Sequence, residues 1–137
     1  MTCVFCEIVE GRLPASIVHD DADVLGFMDI NPATPGHLLV VPKRHAAGLA
    51  DLPPDDGRRV FAVAQRLAAA LRASSLEPSG VNLFLADGEA AGQDVFHVHL
   101  HVLPHTAGDG VAIIAELASP DRSELDAVAE TIRTALD

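Results

Sequence analysis

The apolar positions of this chain follow two periods, and their alternation along the sequence lays out the elements. Between residues 54 and 73, Val60, Phe61, Ala64, Leu67, Ala68 and Leu71 form one stripe at helical spacing, while Arg58, Arg59, Gln65, Arg66 and Arg72 lie mostly off it. A long amphipathic helix is predicted there. Leu125, Val128, Ala129, Ile132, Ala135 and Leu136 give a second, C-terminal helix its apolar face, and Ser119-Pro120-Asp121 supplies its start with Pro at the first helical position. Extended stretches fill much of the remainder. Residues 16–19 and 24–28 predict two strands joined by the acidic turn Asp20-Asp21-Ala22-Asp23. Residues 37–41 read as a buried strand stopped by Pro42, 81–85 as another, 95–103 as a strand terminated by Pro104, and 111–114 as an apolar extended piece. Residues 3–9 predict one helical turn that buries Phe5, Ile8 and Val9 and ends at Gly11. Consecutive strands with helices between and after them imply an α+β fold with a mainly antiparallel sheet. At 137 residues the chain is expected to be a single domain, 1–137, with a core that needs no disulfide.

The stretch from Phe96 to Leu103 adds chemistry to that plan. His97, His99 and His101 alternate with Val98, Leu100 and Val102, so a strand here would present imidazole on one face and core on the other. Imidazole offers both a neutral nucleophile and a charged proton donor near neutral pH. A row of them reads as a site attacking phosphate, as a metal site, or as a set of paired core histidines. A single ion held by all three is awkward, because the first and third Cα atoms of such a row lie about 13 Å apart. A core role would require a buried partner for every ring.

Composition narrows the partners. Nine Lys and Arg against 20 Asp and Glu give a net charge of -11, which disfavours nonspecific binding to DNA, RNA or anionic lipid. An anionic ligand must then be attracted locally, by imidazolium, by backbone N–H groups of a glycine-containing loop or by a cation. No apolar run approaches the length of a membrane span, and the N-terminus does not read as a secretory signal. A soluble cytoplasmic protein is expected. The only two cysteines, Cys3 and Cys6, lie three apart, a spacing that suggests a metal pair more than a disulfide. The competing reading is a pair of reduced surface thiols, with His45 capping a loop.

Taken together, Cys3-x-x-Cys6, Phe27-Met28-Asp29-Ile30-Asn31-Pro32, the block from Pro35-Gly36-His37 to Pro42-Lys43, and His97-x-His99-x-His101 preceded by Ala91-Gly92-Gln93 resemble the histidine triad (HIT) family of nucleotide hydrolases and transferases over nearly the whole chain. The resemblance implies that His99 is the nucleophile, attacking the α-phosphorus of a purine nucleotide to form a nucleotidyl-histidine intermediate. It implies that His101 contacts phosphate or protonates the leaving group, with His37 and His97 completing the histidine set. Asp29 would hold the ribose hydroxyls, Phe27 and Ile30 the base, and the Gly92-Gln93-Asp94-Val95 loop the phosphate. For Asp29 a plain turn-initiating role before Asn31-Pro32 is the competing reading. The same resemblance implies structural Zn2+ on Cys3, Cys6, His45 and His97, and a homodimer paired through the long helix and the sheet edge. His at position 101 goes with hydrolysis, so an AMP or GMP derivative such as a phosphoramidate, an acyl adenylate or a dinucleoside polyphosphate is the expected substrate. A transferase or phosphorylase, or a nucleotide-binding regulator with little turnover, are the alternatives. Three residues depart from the family pattern. Ala86 stands where Asn is common, His105 where Arg is common, and Asp94 where Ser or Thr is usual, which puts a carboxylate beside the expected phosphate site.

Overall fold

A computed structural model describes residues 2–136. In chain order the elements are α1 (Val4–Val9), β1 (Ile17–Asp20), β2 (Val24–Met28), β3 (Leu38–Pro42), α2 (Pro54–Ala73), β4 (Gly80–Phe84), β5 (Leu100–His105) and α3 (Arg122–Ala135), with single 3-10 turns at Leu49–Asp51 and Glu89–Ala91. The five strands form one antiparallel sheet in the order β1-β2-β3-β5-β4. The fold is α+β, as the sequence predicts.

The two faces of the sheet bury different things. On one, α2 lays Val60, Val63, Ala64 and Leu71 against Val24, Leu38, Val40, Leu100 and Val102. On the other, Leu25, Phe27, Leu39 and Val41 meet Phe5 of α1. Antiparallel register sets which side of β5 faces which layer, because Leu39 pairs with His101 while Leu38 and Val40 pair with Val102 and Leu100. His101 therefore lies on the face opposite α2. At Gly36, φ is +94° and an added Cβ would come within 2.9 Å of Leu76 and 3.1 Å of Leu71 and Pro104. Only glycine tolerates both the backbone and the space.

Several expectations are corrected. The histidine strand starts at Leu100, so His97 and His99 precede it in irregular backbone. The β3–β5 ladder runs only from Leu38 to Val40, and the Val98 N–H goes instead to the Ala46 carbonyl. Pro104 does not end β5. His105 points its carbonyl at β4, where Ser79 N–H donates to it, so the missing donor of Pro104 faces the β3 side beyond the last ladder pair. The last helix starts at Arg122, capped by Asp121, whose side chain accepts the Glu124 N–H. Finally, helical periodicity misassigned part of the α2 stripe, for Val63 is buried and Phe61 is 56% exposed. Residues 111–114 join no strand, and the apolar residues Leu125, Val128 and Ile132 of α3 are exposed.

Candidate functional site

The irregular backbone between the Glu89–Ala91 turn and β5 is stapled by one side chain. Gln93 accepts the Gly88 N–H through Oε1 at 2.8 Å and donates from Nε2 to the carbonyls of Ala47 and Val95. The Gly92 and Gln93 N–H groups donate to Glu89 and Gly88 within the same loop. These two residues thus shape the loop, and their N–H groups are not free for a phosphate as the sequence reading expected. That leaves the Val95 N–H, which is taken by the carboxylate of Asp94 at 2.9 Å. Asp94 also lies 3.6 Å from His99 Nε2, with its side chain 83% exposed.

Past this loop the four histidines are set by hydrogen bonds whose directions follow from their partners. A carbonyl only accepts, so His99 Nδ1, 2.8 Å from the His97 carbonyl, carries the proton and Nε2 is left with the lone pair. The Ala33 N–H donates to His37 Nδ1 at 3.0 Å, which puts the His37 proton on Nε2. That nitrogen lies 2.9 Å from His101 Nδ1, so His37 donates to His101 and the His101 proton sits on Nε2. The bare nitrogen of His99 and the N–H of His101 belong to rings that stand side by side, their centroids 5.1 Å apart. Burial lowers the pKa of His37 and His101, with the neighbouring imidazoles adding to the effect on His101 and Asp29 opposing it in both. Both shifts favour the uncharged form of His37 and His101.

A cavity of about 240 Å3 opens in front of this row. Phe27, Asp29, Ile30, Asp94, Val95, His99 and His101 line it, together with Phe5, Met28 and Leu39. His37, Gly92, Gln93 and His97 do not. Asp29 combines both of its sequence readings. Its Oδ1 accepts the Asn31 N–H at 2.8 Å as a turn initiator, while Oδ2 faces His37 Nε2 at 3.5 Å. Phe5 escaped the sequence reading as a site residue, although its ring stands edge-on to His99 at 5.1 Å. Its signal, an apolar residue in a helical turn, is indistinguishable from that of a core residue. His105 does not reach the cavity, because its Nδ1 is paired with Asp109 at 2.9 Å.

His97 belongs to a second cluster. Its Nε2 donates to the Pro42 carbonyl at 2.7 Å, which leaves Nδ1 as a lone pair facing Cys3 Sγ at 3.4 Å, Cys6 Sγ at 3.5 Å and His45 Nδ1 at 3.3 Å. The Cys6 Sγ to His45 Nδ1 distance is 3.4 Å. A tetrahedral ion with ordinary metal–sulfur and metal–nitrogen bonds gives N–N and N–S edges of about 3.3–3.6 Å. The donor set therefore fits a metal, and Cys3, Cys6, His45 and His97 form a metal-competent group. Burial, with the Cys3 side chain beside it, pushes the Cys6 thiol up to about 11, so a stable pair of thiolates here calls for a cation. A further group, Asp29, His37 and His101, is also compact enough to surround an ion. It suits one poorly. The backbone donor on His37 Nδ1 requires the proton on Nε2, the very atom a metal would need bare.

Known proteins resemble this chain in sequence and in fold. The family model for the HIT domain matches residues 10–108. An uncharacterized HIT-like protein of Mycobacterium tuberculosis is 41% identical over 136 residues, covering 99% of this chain and 94% of its own. The crystal structure of a zinc-bound histidine triad family protein from Mycobacterium smegmatis superposes with a TM-score of 0.79 at 44% identity, over 99% of both chains. A histidine triad nucleotide-binding protein from Candida albicans does so with a TM-score of 0.88 at 28% identity, covering 98% of this chain and 96% of that one.

Proposed function

The chain belongs to the HIT-domain family, and on that premise we propose that it is a nucleotide hydrolase acting at the α-phosphate of a purine nucleotide through a nucleotidyl-histidine intermediate. The observation that carries the reading is the bond from His99 Nδ1 to the His97 carbonyl, which leaves the His99 Nε2 lone pair bordering the cavity. His99 attacks phosphorus. His101, whose Nε2–H is set by the bond from His37, donates a hydrogen bond to the phosphoryl oxygens, while the departing group takes its proton from water and the hydroxide equivalent so formed displaces His99 to release the nucleotide. Phe27 and Ile30 pack on the base and Asp29 holds the ribose hydroxyls with the oxygen valences its turn leaves free. The Candida albicans relative, a nucleotide-binding protein, supports the ligand class.

Cys3, Cys6, His45 and His97 would hold Zn2+, and the zinc-bound Mycobacterium smegmatis relative supports that choice. Bound there, the ion supplies rigidity and charge, not substrate activation, since its four protein ligands close the site. His97 then does two things at once. Its ring is tied to the first turn of the chain while its carbonyl aims His99. Free cysteines suit a reducing compartment, the cytoplasm, and among the described residues no helix is long and apolar enough to cross a membrane. Exposed Phe61 on α2 and the open edge of β4 support a homodimer.

The test is AMP release from adenosine 5′-phosphoramidate by the wild type and by His99→Ala. The variant is expected to lose roughly three orders of magnitude or more in kcat, and acid-quenched wild type to carry one AMP on His99 by mass spectrometry. Equal rates in the two proteins would end the nucleophile assignment. AMP binding without turnover in the wild type would favour a regulator instead.

A further inference from the structure

α1 forms one wall of the nucleotide cavity, through Val4, Phe5 and Ile8, and few contacts hold it there. Phe5 is its only buried residue. Among the described residues, every backbone hydrogen bond of residues 3–13 stays inside that segment, as does the ion pair of Glu7 with Arg12. Two things tie the helix to the sheet. One is the packing of Phe5, with partly buried Ile8 and Val9 beside it, and the other is the approach of Cys3 and Cys6 to His97 and His45. The cysteines are also within reach of solvent. Both are half-buried, and Cys3 opens onto a groove of about 440 Å3 shared with His45, Asp94 and Val95. Their Sγ atoms lie within 4.8 Å of each other, across a turn closed by the Glu7 N–H donating to the Cys3 carbonyl at 3.0 Å.

We infer that Cys3 and Cys6 are a reversible oxidation site, at which a peroxide joins them in a disulfide, expels the metal and unlatches α1 from the nucleotide cavity. This rests on the zinc reading above and adds regulation to it. The two states exclude each other, because a metal takes thiolates and a disulfide has none to give. A thiolate on zinc is already deprotonated and keeps its nucleophilic electron pair. To bond, the sulfurs must close to about 2 Å, which draws them away from His97 and His45. The His97 ring stays in place, since its Nε2 bond to the Pro42 carbonyl does not involve sulfur. What is lost is the tie to α1. Phe5, whose ring stands edge-on to His99, is then held by apolar packing alone.

The step balances. One thiolate attacks the O–O bond of hydrogen peroxide, which breaks to leave a sulfenic acid and hydroxide. The other thiolate then forms the S–S bond as the S–O bond breaks and a second hydroxide departs. Two thiolates, one peroxide and two protons thus give one disulfide and two waters, with two electrons passing from sulfur to oxygen. A dithiol reductant and Zn2+ restore the first state.

The experiment treats the full chain, purified under reductant and with its metal content measured, with a few equivalents of hydrogen peroxide and afterwards with dithiothreitol and Zn2+. Released zinc is followed with a chromogenic chelator, the disulfide by intact mass, α1 by hydrogen exchange over residues 3–9, and the cavity by AMP binding. Peroxide is expected to release about one zinc per chain while the mass falls by two hydrogens. Exchange over residues 3–9 should speed up and AMP affinity drop by about tenfold or more, the loss when fewer than a tenth of the molecules keep the wall in place. Dithiothreitol with Zn2+ should reverse all four signals, and Cys3→Ser should show no such cycle. Zinc retained with both thiols free after peroxide, or a disulfide that leaves exchange and AMP binding unchanged, would overturn the inference while the zinc reading stands. So would a loss of AMP binding that dithiothreitol does not restore, the result that oxidation of Met28 in the cavity wall gives. A wild type isolated without metal would overturn both.

Discussion

Replacing His37 by Phe tests the hydrogen-bond chain that sets the proton on His101. The ring is 7% exposed and makes two bonds, accepting from the Ala33 N–H at 3.0 Å and donating to His101 Nδ1 at 2.9 Å. Phe keeps the shape and loses both. At a net ~1 kcal/mol per bond, with the Ala33 donor left unpaired, the folded state should lose about 1–3 kcal/mol. For a chain of this size that is a melting point lower by roughly 3–10 °C. The effect on rate has a different origin. Without the donor on Nδ1, His101 exchanges freely between its two neutral tautomers, and a bond worth ~1–1.4 kcal/mol sets their ratio by about 5–10. On the reading given above, the Nε2–H fraction drops from about nine-tenths to about half, so kcat for the phosphoramidate should fall by about twofold with KM changed much less. Two-bond 1H–15N spectra should show the His101 proton moving from Nε2 alone to a mixture. His37→Gln retains an N–H donor and should recover part of both signals. An unchanged kcat in His37→Phe, with His101 still protonated only on Nε2, would refute the proposed chain.

Other perturbations address the remaining parts. Cys3→Ser/Cys6→Ser should lose the metal that elemental analysis finds in the wild type at about one zinc per chain, with a lower melting point; a metal-free wild type would remove the assignment. Burial depresses the pKa of His37 and His101 in the fold, so below their unfolded value near 6.5 the unfolded chain binds more protons than the native one. Urea titrations should therefore show stability falling as pH drops from about 6.5 toward the lowered folded values, with no contribution from these groups above that, and a stability flat through pH 5 would contradict the assignment. Gly36→Ala combines a positive φ with contacts of 2.9–3.1 Å to Leu76, Leu71 and Pro104, and should cost about 2–5 kcal/mol in a denaturant melt.

How far the sequence reached is clearest where local pattern and tertiary packing ask for the same thing. The long helix was bounded correctly because Pro at its first turn and a 20-residue apolar period leave few alternatives. The strand at Val24–Met28 was read with equal accuracy, since acidic turn residues on one side and Asn-Pro beyond it delimit the run. Around the histidines the pattern overreached. Strict alternation predicts a strand from residue 95, but a strand needs a neighbour with free donors and acceptors, and whether β3 still faces it there is decided elsewhere in the chain. The pairing of the Gly92 and Gln93 N–H groups, the stapling by the Gln93 side chain and the second role of Phe5, buried as the sequence predicts, at the cavity wall lie beyond the pattern for the same reason. Each role depends on a partner distant in sequence or on the turn of a loop, neither of which has a period.

What the sequence determined by itself was the inventory: which residue types are available, which elements carry them, and the family whose motif they spell. Tertiary structure decided the assignments within that inventory. It turned His97 toward two thiols while its carbonyl fixed His99, directed a proton from His37 to His101, and stood Asp94 beside the nucleophile's lone pair. The physical reason is that a neutral imidazole has one proton and two nitrogens, and only the partner on one of them, brought in by the fold, determines what the other can do.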